Sequence, residues 1–132
     1  TSPVNSPDTE DYIAYCFHSV EGFSKVFSYT GNGSTDGPFQ NLGFRPAWIL
    51  LKRTNYASDW ILWDAKRDAY NVMDSKLSPN TSGAEYTGSA VYIDALSNGF
   101  KLRNTDGSSN SSGDSYIGIA FAEMPAKYSL SR

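Results

Sequence analysis

Apolar residues along this chain fall into short clusters separated by Gly, Ser, Asn and Pro, and the clusters are of strand length. Read in order, they predict strands over Tyr12–Phe17 (YIAYCF), Lys25–Thr30 (KVFSYT), Ala47–Arg53 (AWILLKR), Asp59–Asp64 (DWILWD), Ala90–Leu96, Phe100–Arg103 and Tyr116–Phe121 (YIGIAF). The Trp-Ile-Leu-Leu run beginning at Trp48 is continuous rather than alternating, the pattern of a central strand covered on both faces. In the next strand, period two places Trp60 and Trp63 on opposite faces. Ser97-Asn98-Gly99 joins two of the clusters, and Asn98-Gly99 predicts a type I′ hairpin turn. No long window keeps apolar residues at helical spacing, although Trp63–Tyr70 has room for one turn. The pattern as a whole predicts an all-β fold, an antiparallel β-sandwich of jelly-roll-like form.

The domain limits follow from the same pattern. Thr1–Asp11 is polar, carries prolines at 3 and 7, and reads as an extended tail or linker. Residues 12–132 read as a single β-sandwich domain. Tyr12–Phe17 also echoes Tyr116–Phe121, with identities at the first, second and last positions and a polar approach before each copy. Taken as a repeat of about a hundred residues, the echo makes residues 12–24 the closing strand of a preceding unit. Such a strand has to cover Tyr12, Ile13, Tyr15 and Phe17 against its own sheet or against a neighbouring chain, so these four are the candidate assembly residues.

Composition narrows the chemistry. The 132 residues include nine Tyr, seven Phe and three Trp, enough apolar material for one core. A net charge of −3 argues against nucleic acid as a partner, since that needs a basic face. Lys52-Arg53 and Lys66-Arg67 with tryptophans between them are too few to reverse this. No run approaches the roughly eighteen apolar residues of a membrane span, and no membrane insertion is expected. The chain starts at Thr1 without a leader pattern, which suggests a processed product or a piece of a longer protein. One His and one Cys fall short of a zinc site, and a Ser-His-Asp or Cys-His set would have to use His18, which lies in no such motif. Asp106, Asn110 and Asp114 lack the spacing of a calcium loop. No metal, cofactor or catalytic set is therefore assigned; two acids meeting in a cleft keep a glycan-active enzyme as the least favoured reading.

Four groups of residues remain as candidates. Trp48, Trp60 and Trp63 lie inside apolar strands and read as structural core. Tyr56, beside Asn55 and Asp59, and Tyr86, beside Glu85, lie in polar loops. A tyrosine there stacks on a sugar ring while an acid or amide binds its hydroxyls, so these five are the candidate glycan contacts. Asp64 and Arg67, followed by Asp68, read as a corner closed by a carboxylate–guanidinium pair, with an anion site on Lys66 and Arg67 as the alternative.

Several stretches together resemble a known family. They are Tyr12–Lys25 (YIAYCFHSVEGFSK), Ser28–Ser34 (SYTGNGS), Gly43–Trp48 (GFRPAW) with Lys52-Arg53-Thr54, Asp59-Trp60, Trp63-Asp64, Lys66-Arg67-Asp68, Ser97–Phe100 (SNGF) and Tyr116–Glu123 (YIGIAFAE). In this order they are similar to repeat domains of tail-fibre proteins from marine and other environmental bacteriophages, over residues 12 to 128. The resemblance implies a virion appendage, or another extracellular fibre, that is non-enzymatic and touches host surface glycans. It also implies a homo-oligomer, a trimer or a filament. A purely structural fibre subunit joined through its N-terminal strand is the second reading. Thr1–Asp11 lies outside the resemblance.

Overall fold

The computed structural model describes residues 11–123. Among them are nine strands and one short 3-10 turn. The strands are β1 (Ser24–Thr30), β2 (Phe39–Asn41), β3 (Pro46–Arg53), β4 (Ile61–Asp64), β5 (Ser75–Lys76), β6 (Tyr86–Thr87), β7 (Ile93–Leu96), β8 (Gly99–Leu102) and β9 (Ser115–Ala122); the turn is Ser89–Val91. No helix among the described residues is long and apolar enough to cross a membrane. The predicted tail over residues 1–11 lies, but for Asp11, outside the described residues.

Every strand pair is antiparallel. One sheet has the order β1-β9-β3-β4, a second β2-β8-β7, and β5-β6 forms a separate ribbon. The fold is all-β. Among the described residues the two larger sheets hold four and three strands.

Side-chain alternation decides which residues meet between the sheets. In the larger sheet Phe27, Ile49, Leu51, Ile61, Trp63, Tyr116 and Ala120 point inward and are buried. The smaller sheet supplies Ile93, Ala95, Phe100 and Leu102 to the same cluster. Phe27 meets Phe100 edge-on across the gap, with ring centroids 5.4 Å apart. Gly118 makes room for this contact, because a Cβ there would lie 2.5 Å from the Phe27 ring.

The β7–β8 hairpin forms, but one residue earlier than Asn98-Gly99 predicts. Leu96 pairs with Gly99, so the two-residue loop is Ser97-Asn98 and Gly99 belongs to the strand. Its glycine is needed for packing rather than for the turn: its antiparallel neighbour β2 lies so close that a Cβ would collide with the Gln40 carbonyl oxygen.

Three other expectations are corrected. Tyr12–Phe17 is not a strand. It joins β1 through a tight turn with Gly22 at φ +71°, where Val20 bridges Ser24. The Ser24 hydroxyl donates to the His18 carbonyl, and the Val26 N–H donates to the Ser19 hydroxyl. The segment passes over the outer face of the larger sheet, which keeps it from laddering along an edge. The three tryptophans do not share the core. Trp63 is fully buried and donates its indole N–H to the Val91 carbonyl. Trp48 and Trp60 project from the outer face and are only partly covered. Finally, Asp64 and Arg67 do not form the predicted side-chain pair: Asp64 accepts from the Lys66 N–H, and Arg67 pairs with Glu85 of the ribbon side. The corner is closed by backbone, with the Arg67 N–H on the Asp64 carbonyl.

Candidate functional site

At one end of the sandwich, three loops converge on the start of β9. The first follows β3. Arg53 closes that strand and pairs with Asp114, and its guanidinium carbon lies 4.4 Å from the centroid of the Tyr56 ring. A guanidinium over an aromatic face is attractive because the ring's face is electron-rich. Asn55 fixes the same loop: its amide donates to Asp114 Oδ1 (2.8 Å), and its oxygen accepts from the Ser115 N–H (3.3 Å). Tyr56 is held by these neighbours while remaining 64% exposed.

The β5–β6 ribbon is the second element. Lys76 and Tyr86 are direct cross-strand partners, and the Lys76 ammonium lies 5.6 Å from the Tyr86 ring centroid. Tyr86 is 47% exposed. The third element, between β8 and β9, runs between these two pairs. Lys76 Nζ is 3.5 Å from the Ser108 hydroxyl, and a Cβ on Gly107 would be 3.5 Å from Arg53 Nη1. Two tyrosines, each with a cation over its ring, thus flank one polar loop.

That loop is rigid because its polar residues are buried and bonded. The Asn110 amide donates to the carbonyls of Asn104 (2.7 Å) and Ser34 (2.8 Å) and to Asn32 Oδ1 (3.2 Å), and its oxygen accepts from the Asn32 N–H (2.9 Å). The Tyr116 hydroxyl donates to the Gly107 carbonyl (2.8 Å) and accepts from the Ser111 N–H (2.9 Å). The Tyr29 hydroxyl donates to the Ser109 carbonyl (2.6 Å), and its ring stacks on Tyr116 at 5.0 Å.

Burial pushes the Tyr29 phenol well above its ordinary range, with Tyr116 adding to the effect, and burial raises Tyr116 as well. These phenols are hydrogen-bonding struts and not proton donors near neutrality. Burial also pushes the Asp114 carboxyl up, but hydrogen bonds from Asn55 and Ser111 together with the Arg53 guanidinium outweigh it, and the carboxyl sits below its ordinary range. A lowered carboxylate contributes stability that is full above its unfolded value, about 3.9, and is lost as pH falls through the folded value. Asp114→Asn is therefore expected to lower stability at neutral pH and to flatten the loss of stability below about pH 4. Urea unfolding of both proteins at neutral and acid pH checks this; an unchanged acid slope contradicts it.

The five predicted glycan residues are not brought together as a set. Tyr56 and Tyr86 flank the loop, whereas the acids and the amide beside them are taken up in structure. Asn55 is bonded to Asp114 and Ser115, Asp59 accepts from Asn80 (2.8 Å), and Glu85 pairs with Arg67. The acids of the 104–114 loop, whose spacing does not fit a calcium loop, are engaged too: Asp106 accepts from the Ser108 N–H (2.8 Å) and Asp114 from Arg53. Lys52 donates to the Ser58 carbonyl. His18 lies exposed, its Nδ1 3.1 Å from the Ser19 carbonyl. The residues that sequence reasoning missed are Arg53 and Lys76. Arg53 stands three places before Tyr56, a spacing visible in the sequence, but Lys76 reaches Tyr86 only through the ribbon pairing.

Comparison with known proteins adds a family. A family model described as a domain of unknown function, DUF7483, matches residues 1–125. The chain belongs to the DUF7483 family. No curated protein and no solved structure matches it. The DUF7483 match begins at Thr1, so it takes in the polar stretch set apart as a tail, together with the whole sandwich and both cation-backed tyrosines.

Proposed function

We propose that this DUF7483 chain is a non-enzymatic module of a phage tail-fibre-type appendage, and that it contacts host surface glycans through the end bearing Tyr56 and Tyr86. The observation that carries this is the pair of exposed tyrosines, each steadied by a cation, on either side of the Gly107–Ser108 loop. A sugar ring presents C–H groups on one face and hydroxyls at its edge. The tyrosine rings match the first, and the polar loop between them supplies oxygen acceptors for the second, the Ser108 hydroxyl donating its own hydrogen to Asp106. Because the rings are held before binding, little side-chain freedom is lost on contact. The ordered resemblance of residues 12–128 to tail-fibre repeats supports the same reading.

Binding of the intact protein to a panel of bacterial surface polysaccharides tests it. Tyr56→Ala and Tyr86→Ala are each expected to weaken binding by about tenfold or more. Both side chains are exposed, so thermal unfolding should hardly change. Absence of binding across the panel, or binding that ignores both substitutions, overturns the proposal. The second reading, a purely structural fibre subunit, is favoured by a different observation: the apolar outer face of the larger sheet.

A further inference from the structure

The outer face of the larger sheet carries an apolar patch that the core does not cover, flanked by Lys52 beside Ile117 and Asp64 beside Trp48. On the outer face the register sets Trp48 beside Phe121 and Leu50 beside Ile119, with Val26 facing Ile119 from the other side. The Trp48 and Phe121 rings are 5.5 Å apart, and Phe23 meets Phe121 at 5.7 Å. A groove of about 330 Å³ runs here between the sheet and the N-terminal segment, and no charged side chain lines it. The segment inserts Tyr15 and Phe17 along this groove but does not close it. Ile13, Tyr15 and Phe17 remain 80, 81 and 61% exposed, and Val26 and Ile117 are nearly half exposed.

We infer that a second copy of this chain covers this face, the two outer faces packing about a two-fold axis with the N-terminal segments between them. Size is the first argument. Tyr15, Phe17, Val26 and Ile117 along the groove, with Phe23 beside Phe121, expose on the order of 500 Å², so two copies together reach the ~1,000 Å² that a specific interface needs. Exposed apolar patches of that extent on a folded domain mark contact surfaces. Charge is the second. A two-fold axis sets a patch against its own chemistry, and an uncharged apolar patch is complementary to itself, whereas a charged one is not. The flanking charges are engaged within one chain: Lys52 donates to the Ser58 carbonyl, Asp64 accepts from the Lys66 N–H, and Arg45 pairs with Glu123 at 2.9 Å. The inference is independent of what the Tyr56 end binds.

Light scattering on the full chain at about 50 µM, above the dissociation constants expected of a standard interface, is the test. A dimer is expected. Val26→Glu with Ile117→Glu places charges in the centre of the patch and is expected to weaken the dimer at least ~100-fold. Ile13→Ser with Tyr15→Ser alters only exposed positions, where the fold is not at risk, and is expected to weaken it by about tenfold. A monomeric wild type overturns the inference and leaves the face to residues 1–10 or to a different protein. A trimer overturns the two-fold arrangement, and a dimer untouched by both variants places the interface elsewhere and overturns it as well.

Discussion

Trp63→Ala is expected to destabilise the protein by about 5 kcal/mol, enough to leave much of it unfolded at room temperature given the 5–15 kcal/mol total of ordinary domains. Trp63 is the largest fully buried side chain, and it stands on β4 where Ile49 of β3 is its direct partner. Truncation leaves a cavity between the two sheets, and buried Trp→Ala changes cost about 3–5 kcal/mol for that reason. It also strips the Val91 carbonyl of its indole donor, for a further penalty of about 1 kcal/mol or more. Trp60 is the internal control. Only three residues away, it faces outward against the groove, and Trp60→Ala should cost no more than about 1–2 kcal/mol. Urea unfolding followed by circular dichroism measures both. Equal costs for the two substitutions would contradict the placement of the tryptophans.

The second large effect belongs to Asn110→Ala, for which a loss of about 3–4 kcal/mol is expected. Asn110 is fully buried, and its amide ties the loop after β1 to the loop before β9 by three hydrogen bonds and makes a fourth, to the Asn104 carbonyl, within its own loop. Alanine leaves the buried Asn104 carbonyl dry, at about 1–3 kcal/mol, and removes the three bonds that hold the loop after β1. Asn110→Asp discriminates volume from bonding: it keeps the shape but replaces the donating amide nitrogen by an oxygen facing carbonyls, and should destabilise as severely. Amide hydrogen exchange at Gly107 and Ser108 is expected to rise in both variants, because the loop between the tyrosines loses its anchor. Protection equal to wild type would show that Tyr116 and Tyr29 hold the loop unaided.

These two positions explain why the Tyr56 end can be well ordered while consisting of loops. Its backbone is bonded to buried amides and phenols, and its two exposed rings are steadied by cations whose own positions are set by Asp114 and by strand pairing. Stability in the core and readiness at the surface are thus linked through the 104–114 loop. Substitutions such as Asn110→Ala should weaken a contact at Tyr56 without touching it.

By itself, the sequence determined that the fold is all-β and where its long strands run, because alternation and turn residues are local signals carried by the chain. It also determined that Trp60 and Trp63 part to opposite faces, since period two permits nothing else. What it could not carry was which face of β3 and β4 meets another sheet: a run apolar on both sides, such as Trp-Ile-Leu-Leu, reads the same either way. Only the packing of Phe100 and Ile93 against one side made Trp63 core and left Trp60 at the groove. The two-residue strands β5 and β6 have no periodicity to detect, so Lys76 met Tyr86 only once the chain had folded. Ion pairing was likewise decided in space, where Arg67 found Glu85 across the corner while Asp64 was taken by the backbone, because a carboxylate two bonds from its own turn reaches a nearby N–H before it reaches a guanidinium.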